Sequence, residues 1–228
     1  TMTPAAAPDM PSPDDDTLDA ASATEAVEAT GRKRPKPGER RVQILQALAT
    51  MLEQPGAERI TTAALAARLE VSEAALYRHF ASKAQMFEGL IEFIEQTVFG
   101  LINQLDEREP DAQARCRKLV ALLLQFGEKN PGMTRVMVGD ALVFENERLQ
   151  QRMNLFFDKI EATLRHNLRE AATLGGAATP TVDAQADASV ITAFCVGRLQ
   201  RFARSGFKRS PNESLEHSLA LLLPGGRG

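Results

Sequence analysis

Between residues 61 and 83 the chain carries three helix-start signals in close succession: Thr61-Thr62, Ser72 and Ser82. A hydroxyl just ahead of a helix accepts a hydrogen bond from the first free backbone N–H groups. Starts packed this closely leave room for two helices of about two turns each, joined by a turn at Glu70-Val71. Helices that short do not persist alone in water, so longer neighbours must clamp them. The sequence supplies those neighbours. Val42, Leu45, Leu48, Ala49 and Leu52 recur at helical spacing before the pair and stop at Gln54-Pro55-Gly56, and a longer helix opens at Ser82 and runs to about Leu105. Further helical runs are predicted over 111–128, 134–142, 147–172, 183–205 and 212–223, with breaks at Pro110, Asn130-Pro131-Gly132, Gly175 to Pro180 and Gly206 to Pro211. Nothing reads as a strand. The expected fold class is all-α, with a helix-turn-helix unit over 38–84 and a larger helical domain over 85–224.

The second short helix has two chemically distinct faces. Val71, Ala75, Leu76 and Phe80 suit inward packing, which leaves Ser72, Glu73, Ala74, Tyr77 and Arg78 outward. Those outward groups suit duplex DNA. Ser72 and the helix start at Thr61-Thr62 fit phosphate oxygens, Glu73 fits a cytosine amino group, and Ala74 fits a thymine methyl. Arg78 reaches a guanine edge or a phosphate, and Lys83 offers a further phosphate contact. Tyr77 is the single tyrosine of the chain, on a surface that packing does not require.

Charge distribution points the same way. The net charge is −3, but residues 1–30 hold seven acidic residues and no Lys or Arg, while residues 31–90 hold ten Lys and Arg against six Asp and Glu. An acidic tail therefore masks a basic region. Arg32, Lys33, Arg34, Lys36, Arg40 and Arg41 form a basic arm leading into the first helix, the footprint of a polyanion partner. Residues 1–37, rich in Ala, Pro and Asp, hold too few large apolar side chains to offset chain entropy and are expected to be disordered.

Other functions find little support. No window approaches the roughly 18 apolar residues of a membrane span, and the N-terminus lacks a signal pattern, so a cytoplasmic protein is expected. Cys116 and Cys195 sit in apolar helical stretches and exclude a disulfide framework. His79, His166 and His217 have no sequence partners that suggest a triad or metal site, and no Gly-rich loop cradles a phosphate. Neither enzyme activity, metal nor cofactor is expected.

The run from Thr61 to Lys83, ending Leu76-Tyr77-Arg78-His79-Phe80-Ala81-Ser82-Lys83, resembles the DNA-binding domain of TetR-type regulators. Glu70 departs from that pattern, since many members have Gly in the turn; a left-handed Glu there costs about 1 kcal/mol relative to Gly. Within the family the resemblance narrows. Arg59-Ile60-Thr61-Thr62, the run Val71 to Phe80, Leu90-Ile91-Glu92-Phe93-Ile94-Glu95 and Phe126-Gly127-Glu128-Lys129-Asn130-Pro131-Gly132 are similar to its nucleoid occlusion branch, over residues from about 40 to 224. That resemblance implies a nucleoid-associated homodimer that binds palindromic chromosomal sites in double-stranded DNA. When DNA-bound, it antagonises polymers of the tubulin-like division GTPase FtsZ and so blocks septum assembly. The implied DNA-contacting residues are Arg40, Thr61, Thr62, Ser72, Glu73, Ala74, Tyr77, Arg78, His79 and Lys83. The implied FtsZ-facing residues are Phe93, Leu122, Lys129 and Asn130, with Leu101 and Gln125 standing where Arg and Gly are expected. Phe93 equally fits the core stripe of Phe87, Leu90, Ile91, Ile94 and Val98. The last two helices, over 183–205 and 212–223, are the implied dimer interface, with Val190, Ile191, Phe194, Leu199 and Phe202 as its apolar stripe. The alternative within the same fold is a ligand-responsive repressor, its pocket lined by residues 119–124, Phe126, Phe144, Phe156 and Phe157.

Overall fold

A computed structural model describes residues 36, 38–54 and 59–223. Arg32, Lys33 and Arg34 of the basic arm and the acidic run before them lie outside the described residues. The described chain is helical, with no strand. Its elements are α1 (Glu39–Leu52), α2 (Thr62–Arg68), α3 (Glu73–Tyr77), α4 (Lys83–Arg108), α5 (Ala112–Lys129), α6 (Pro131–Met137), a 3₁₀ turn (Asp140–Leu142), α7 (Glu147–Leu174), α8 (Pro180–Arg204) and α9 (Leu215–Leu222).

The short helices begin where the hydroxyls predicted. Thr61 Oγ1 accepts from Ala64 N–H at 3.1 Å, and Ser72 Oγ accepts from Ala75 N–H at 3.2 Å. Ser82 Oγ accepts from Gln85 N–H at 3.2 Å, while Gln85 Oε1 reaches back to Ala81 N–H at 2.9 Å, a reciprocal capping arrangement that fixes the direction of α4. Between α2 and α3 the chain closes a Schellman turn: Val71 N–H bonds Ala66 O and Glu70 N–H bonds Ala67 O. Glu70 takes φ 55°, the left-handed conformation anticipated for a residue standing where Gly is common.

Several expected elements shift. The inward stripe of α1 is Ile44, Leu48 and Leu52, and Val42 is exposed. The run expected over 134–142 is two pieces. Pro131 opens α6 at its first turn, where its missing N–H costs no hydrogen bond, and Gly139 at φ 87° separates α6 from the 3₁₀ turn. The last helix begins only at Leu215 and is short. The long final pair is therefore α7 and α8, an antiparallel hairpin rather than 183–205 with 212–223.

One core runs through the molecule. Ile44, Leu48, Leu65, Leu76 and Phe80 continue into Phe87, Leu90, Ile91, Ile94 and Val98 of α4, then Leu119, Leu123, Phe156, Ile160, Ile191 and Leu199. Because α4 crosses residues 84 and 85 without a break, the expected domain boundary falls inside a helix. Three ion pairs bind α4 and its start to α7 and the loop before it: Lys83 with Glu145, Glu88 with Arg148, and Glu95 with Arg152. At α6 the approach is closest. A Cβ on Gly132 would lie 2.0 Å from Ala49 O, so only glycine lets α6 seat on α1.

Candidate nucleic-acid interface and partner groove

The outer face of α3 is built as its sequence predicts. Ser72, Glu73, Ala74, Tyr77 and Arg78 are exposed, while Leu76 and Phe80 are buried behind them. Thr62 Oγ1 donates to Glu73 Oε2 at 2.6 Å, and Tyr77 OH lies 3.4 Å from Thr62 Oγ1. Glu73 thus already holds a partner on α2. It acts here as a strut that sets the spacing of the two short helices, and its carboxylate reaches a base only by sharing that bond. Tyr77 and Arg78 are left to project outward, Tyr77 at 45% exposure.

Two cations differ from expectation. Lys83 already holds an acidic partner: its ammonium lies 2.6 Å from Glu145 Oε1 and 5.9 Å from the centre of the Phe87 ring. Arg41, expected as part of the basic arm that meets a polyanion, is a structural clamp. Its guanidinium lies 4.2 Å from the centre of the Phe80 ring and donates to the carbonyl of His79, tying the start of α1 to the end of the α3 segment. No local signal marks this role, because the two residues are 38 positions apart. Arg40 and His79 are half-buried, at the edge of the same surface.

A second feature lies between α4 and α5. An open groove of about 390 Å³ is lined by Leu101, Lys118, Ala121, Leu122, Gln125, Phe126, Lys129 and Asn130. Of the four residues assigned to FtsZ, Leu122, Lys129 and Asn130 come together here, and so do the two departures, Leu101 and Gln125. Phe93 lines no part of this groove. It is 46% exposed on α4, which removes it from the core stripe. The groove is mainly apolar between cationic ends. Lys118, at one end, hydrogen-bonds Glu109 and thereby holds that carboxyl below its ordinary value. Asn130 caps α5 and donates from Nδ2 to Phe126 O at 2.8 Å, which fixes the other end.

The stripe assigned to the dimer interface divides between two faces. Ile191 and Leu199 are buried in the protomer's own core, and Phe202 is buried beside Phe207 of the following turn, so none of the three is left for a partner. Val190 is 57% exposed, and Phe194 is half-buried with the Arg198 guanidinium 4.9 Å from its ring centre. The outward line of α8 is instead Val182, Ala186, Ser189, Val190, Ala193 and Gly197. Of the residues read as a possible ligand pocket, Leu119, Val120, Leu123, Leu124 and Phe156 are buried, with Phe99, Phe156 and Phe157 in edge-to-face pairs at 5.3 and 5.1 Å, while Ala121, Leu122 and Phe126 line the open groove. Phe144 is 64% exposed and lines no interior space. Burial pushes the Cys116 and Cys195 thiols up to about 12. Among the described residues no cluster of His, Cys, Asp and Glu could hold a metal, and no helix is long and apolar enough to cross a membrane.

A short helix-turn-helix with an outward polar face, joined by a shared helix to an α-helical domain, defines a bacterial transcription-regulator fold. The model described as "Bacterial regulatory proteins, tetR family" matches residues 44–90, and "Tetracyclin repressor-like, C-terminal domain" matches residues 110–224, so the chain belongs to the TetR family. It is 51% identical over 193 residues to the nucleoid occlusion factor SlmA of Aliivibrio fischeri (strain ATCC 700601 / ES114), covering 82% of this chain and 96% of that protein. To the nucleoid occlusion factor SlmA of Escherichia coli (strain K12 / DH10B) it is 53% identical over 178 residues, covering 78% and 89%. Among solved structures, the TetR family regulator PfmR from Thermus thermophilus superposes with a TM-score of 0.66 at 21% identity, over 82% of this chain and 98% of that one. AibR in complex with isovaleryl coenzyme A and operator DNA superposes with a TM-score of 0.63 at 16% identity, over 81% and 98%. These structures share the fold.

Proposed function

We infer that this chain is a nucleoid occlusion factor of the cytoplasm, bound to the chromosome as a homodimer. Two copies of α3 enter successive major grooves of a palindromic site about one helical turn apart. Tyr77 and Arg78 read or brace the groove, while Thr61, Ser72 and the nearby helix starts meet phosphate. The outward line of α8, with its exposed valines and small residues, joins the two protomers and sets that spacing. The DNA-bound dimer then antagonises FtsZ polymers, with the α4–α5 groove taking an extended apolar segment of FtsZ between Lys118 and Lys129.

The observation that carries this reading is the 51–53% identity to nucleoid occlusion factors across both the helix-turn-helix and the helical domain. The groove agrees with it, because three of the four residues that the resemblance implies to face FtsZ line one surface depression. Its test is sedimentation of FtsZ–GTP polymers with the purified protein, with and without a palindromic duplex. Loss of pelletable FtsZ only with duplex present is the expected result. Undiminished FtsZ pellets in both conditions, with duplex binding intact, would reject it.

A further inference from the structure

The end of α8 carries a concentration of positive charge that neither the core nor the recognition helix uses. Residues 198–212 contain Arg198, Arg201, Arg204, Lys208 and Arg209 and no acidic residue. Two of these are engaged. Arg198 donates to Glu213 O and Ser218 Oγ, and Arg209 pairs with Glu213. Arg201, Arg204 and Lys208 are exposed and form no ion pair among the described residues. Arginines in a last turn answer the helix dipole, but that effect fades within the turn and gives Lys208 no role.

Their position follows from the hairpin register. Arg165 Nη1 of α7 donates to Gln185 Oε1 of α8 at 2.8 Å, which sets the two antiparallel helices side by side. Arg201 lies about 16 residues beyond Gln185, or about 24 Å along the helix. The same distance back along α7 ends beside Arg148, which pairs with Glu88 near the start of α4. Arg201 and Arg204 therefore stand level with the first turns of α4, at the end of the helical domain from which α4 enters the helix-turn-helix unit, and Lys208 follows four residues later in the turn after α8. Arg201 continues the line of Val190 and Phe194, and Arg204 that of Ala193 and Gly197. Lys208 is held by a built turn. Ser205 Oγ accepts from the backbone N–H groups of Lys208 and Arg209 at 3.1 and 2.9 Å, and Phe207 packs edge-on against Phe202 at 5.2 Å.

We propose that Arg201, Arg204 and Lys208 form a second phosphate-binding surface, which grips the duplex backbone between the two recognition helices. The assignment rests on the reading of this chain as a dimeric DNA-binding protein. In a dimer joined along α8, the cations of both copies gather around the two-fold axis on the side of the helix-turn-helix units. Like charges brought together repel, and a polyanion crossing that axis offsets the repulsion. Contacts of this kind carry no base information. They raise affinity on every sequence and add to the salt dependence.

The test compares the full chain with the variant Arg201→Gln/Arg204→Gln/Lys208→Gln, titrated into a palindromic duplex selected by the protein, over a range of salt. The variant is expected to bind cognate and random duplex more weakly, with a salt dependence shallower by about 0.9 for each phosphate no longer neutralised. A second duplex carries uncharged methylphosphonate linkages at the centre of the palindrome. It should weaken the unaltered protein and leave the variant unaffected. An unchanged salt slope in the variant overturns the proposal, as does equal affinity of the unaltered protein for the two duplexes. Loss of poly-glutamate binding in the variant, with duplex binding intact, also overturns it and marks the surface as an acidic-peptide site. If the unaltered protein binds no palindrome specifically, the DNA reading itself fails, which is a separate result.

Discussion

The helix-turn-helix and the α7–α8 hairpin reach stability by opposite routes. Helices α2 and α3 are too short to persist alone, and each element of their geometry is held by a nameable local device: the Thr61 and Ser72 caps, the Schellman turn at Glu70, the Thr62–Glu73 strut and the Arg41 clamp on Phe80. Helices α7 and α8 are long, and their position depends on apolar residues meeting others far away in sequence. In the first region a polar outer face is left for a ligand. In the second, one helix carries two apolar faces, and only burial tells the inner from the outer. The proposed DNA and dimer contacts fall on the face each region leaves unused.

The seam between the two regions offers the strongest test of that contrast. Gly132→Ala drives a Cβ into the carbonyl of Ala49, a backbone atom that cannot swing aside. We expect a loss of about 3 kcal/mol or more in denaturant unfolding, because α6 must leave α1. A loss below about 1 kcal/mol, the size of a volume-conserving swap, would show that the seam is loose and that the two regions move independently.

Next in size is the division of α8 into faces. Ile191→Ala should cost about 2–4 kcal/mol in unfolding free energy, as a buried branched side chain removed from a packed core. Val190→Asp, one residue away, should leave protomer stability within about 0.5 kcal/mol, as expected of an exposed site. It should instead shift sedimentation velocity toward a monomer. If both variants destabilise equally, the outer line of α8 is not a docking face.

On the helix-turn-helix side the effect falls on binding and not on folding. Tyr77→Ala should weaken specific duplex binding by about 1–3 kcal/mol, read by fluorescence anisotropy. Its melting temperature should move little, since Tyr77 is 45% exposed. Glu70→Gly runs the other way. Relieving the left-handed backbone at φ 55° should raise stability by about 1 kcal/mol, with DNA affinity unchanged.

The smallest effect concerns the thiols, as a control on the core that joins both regions. With Cys116 and Cys195 pushed up to about 12, the reactive thiolate is scarce at neutral pH. The native protein should resist a thiol-disulfide reagent, and both cysteines should react once it is unfolded. Rapid labelling of either in the native state would show that the interior opens readily.

Most of the helix-turn-helix was legible in the sequence because its signals are local. Hydroxyl caps, a two-residue turn and an alternation of inward and outward side chains act within a few residues of each other. Thr61, Ser72, Leu76, Tyr77 and Phe80 all take the places their types required. The left-handed turn at Glu70 was equally visible. The clamp made by Arg41 is not legible in the sequence, because its partners lie 38 and 39 positions along the chain and a run of Lys and Arg ahead of a helix equally fits a polyanion contact. The pairing of Lys83 with Glu145 is hidden for the same reason, since Glu145 lies 62 positions away.

Local sequence signals are enough to make the described chain helical, to start its short helices and to turn one face of α3 outward. Those outcomes follow from backbone hydrogen bonding and side-chain periodicity, which act over one or two turns. Tertiary structure alone decided which face of α8 is buried, which cations are already paired, and that Leu101, Leu122, Gln125, Lys129 and Asn130 share one groove. An apolar stripe says that a helix must bury one side but not against what. A charged side chain shows its sign but not its partner, until the folded chain brings distant residues within a few ångströms.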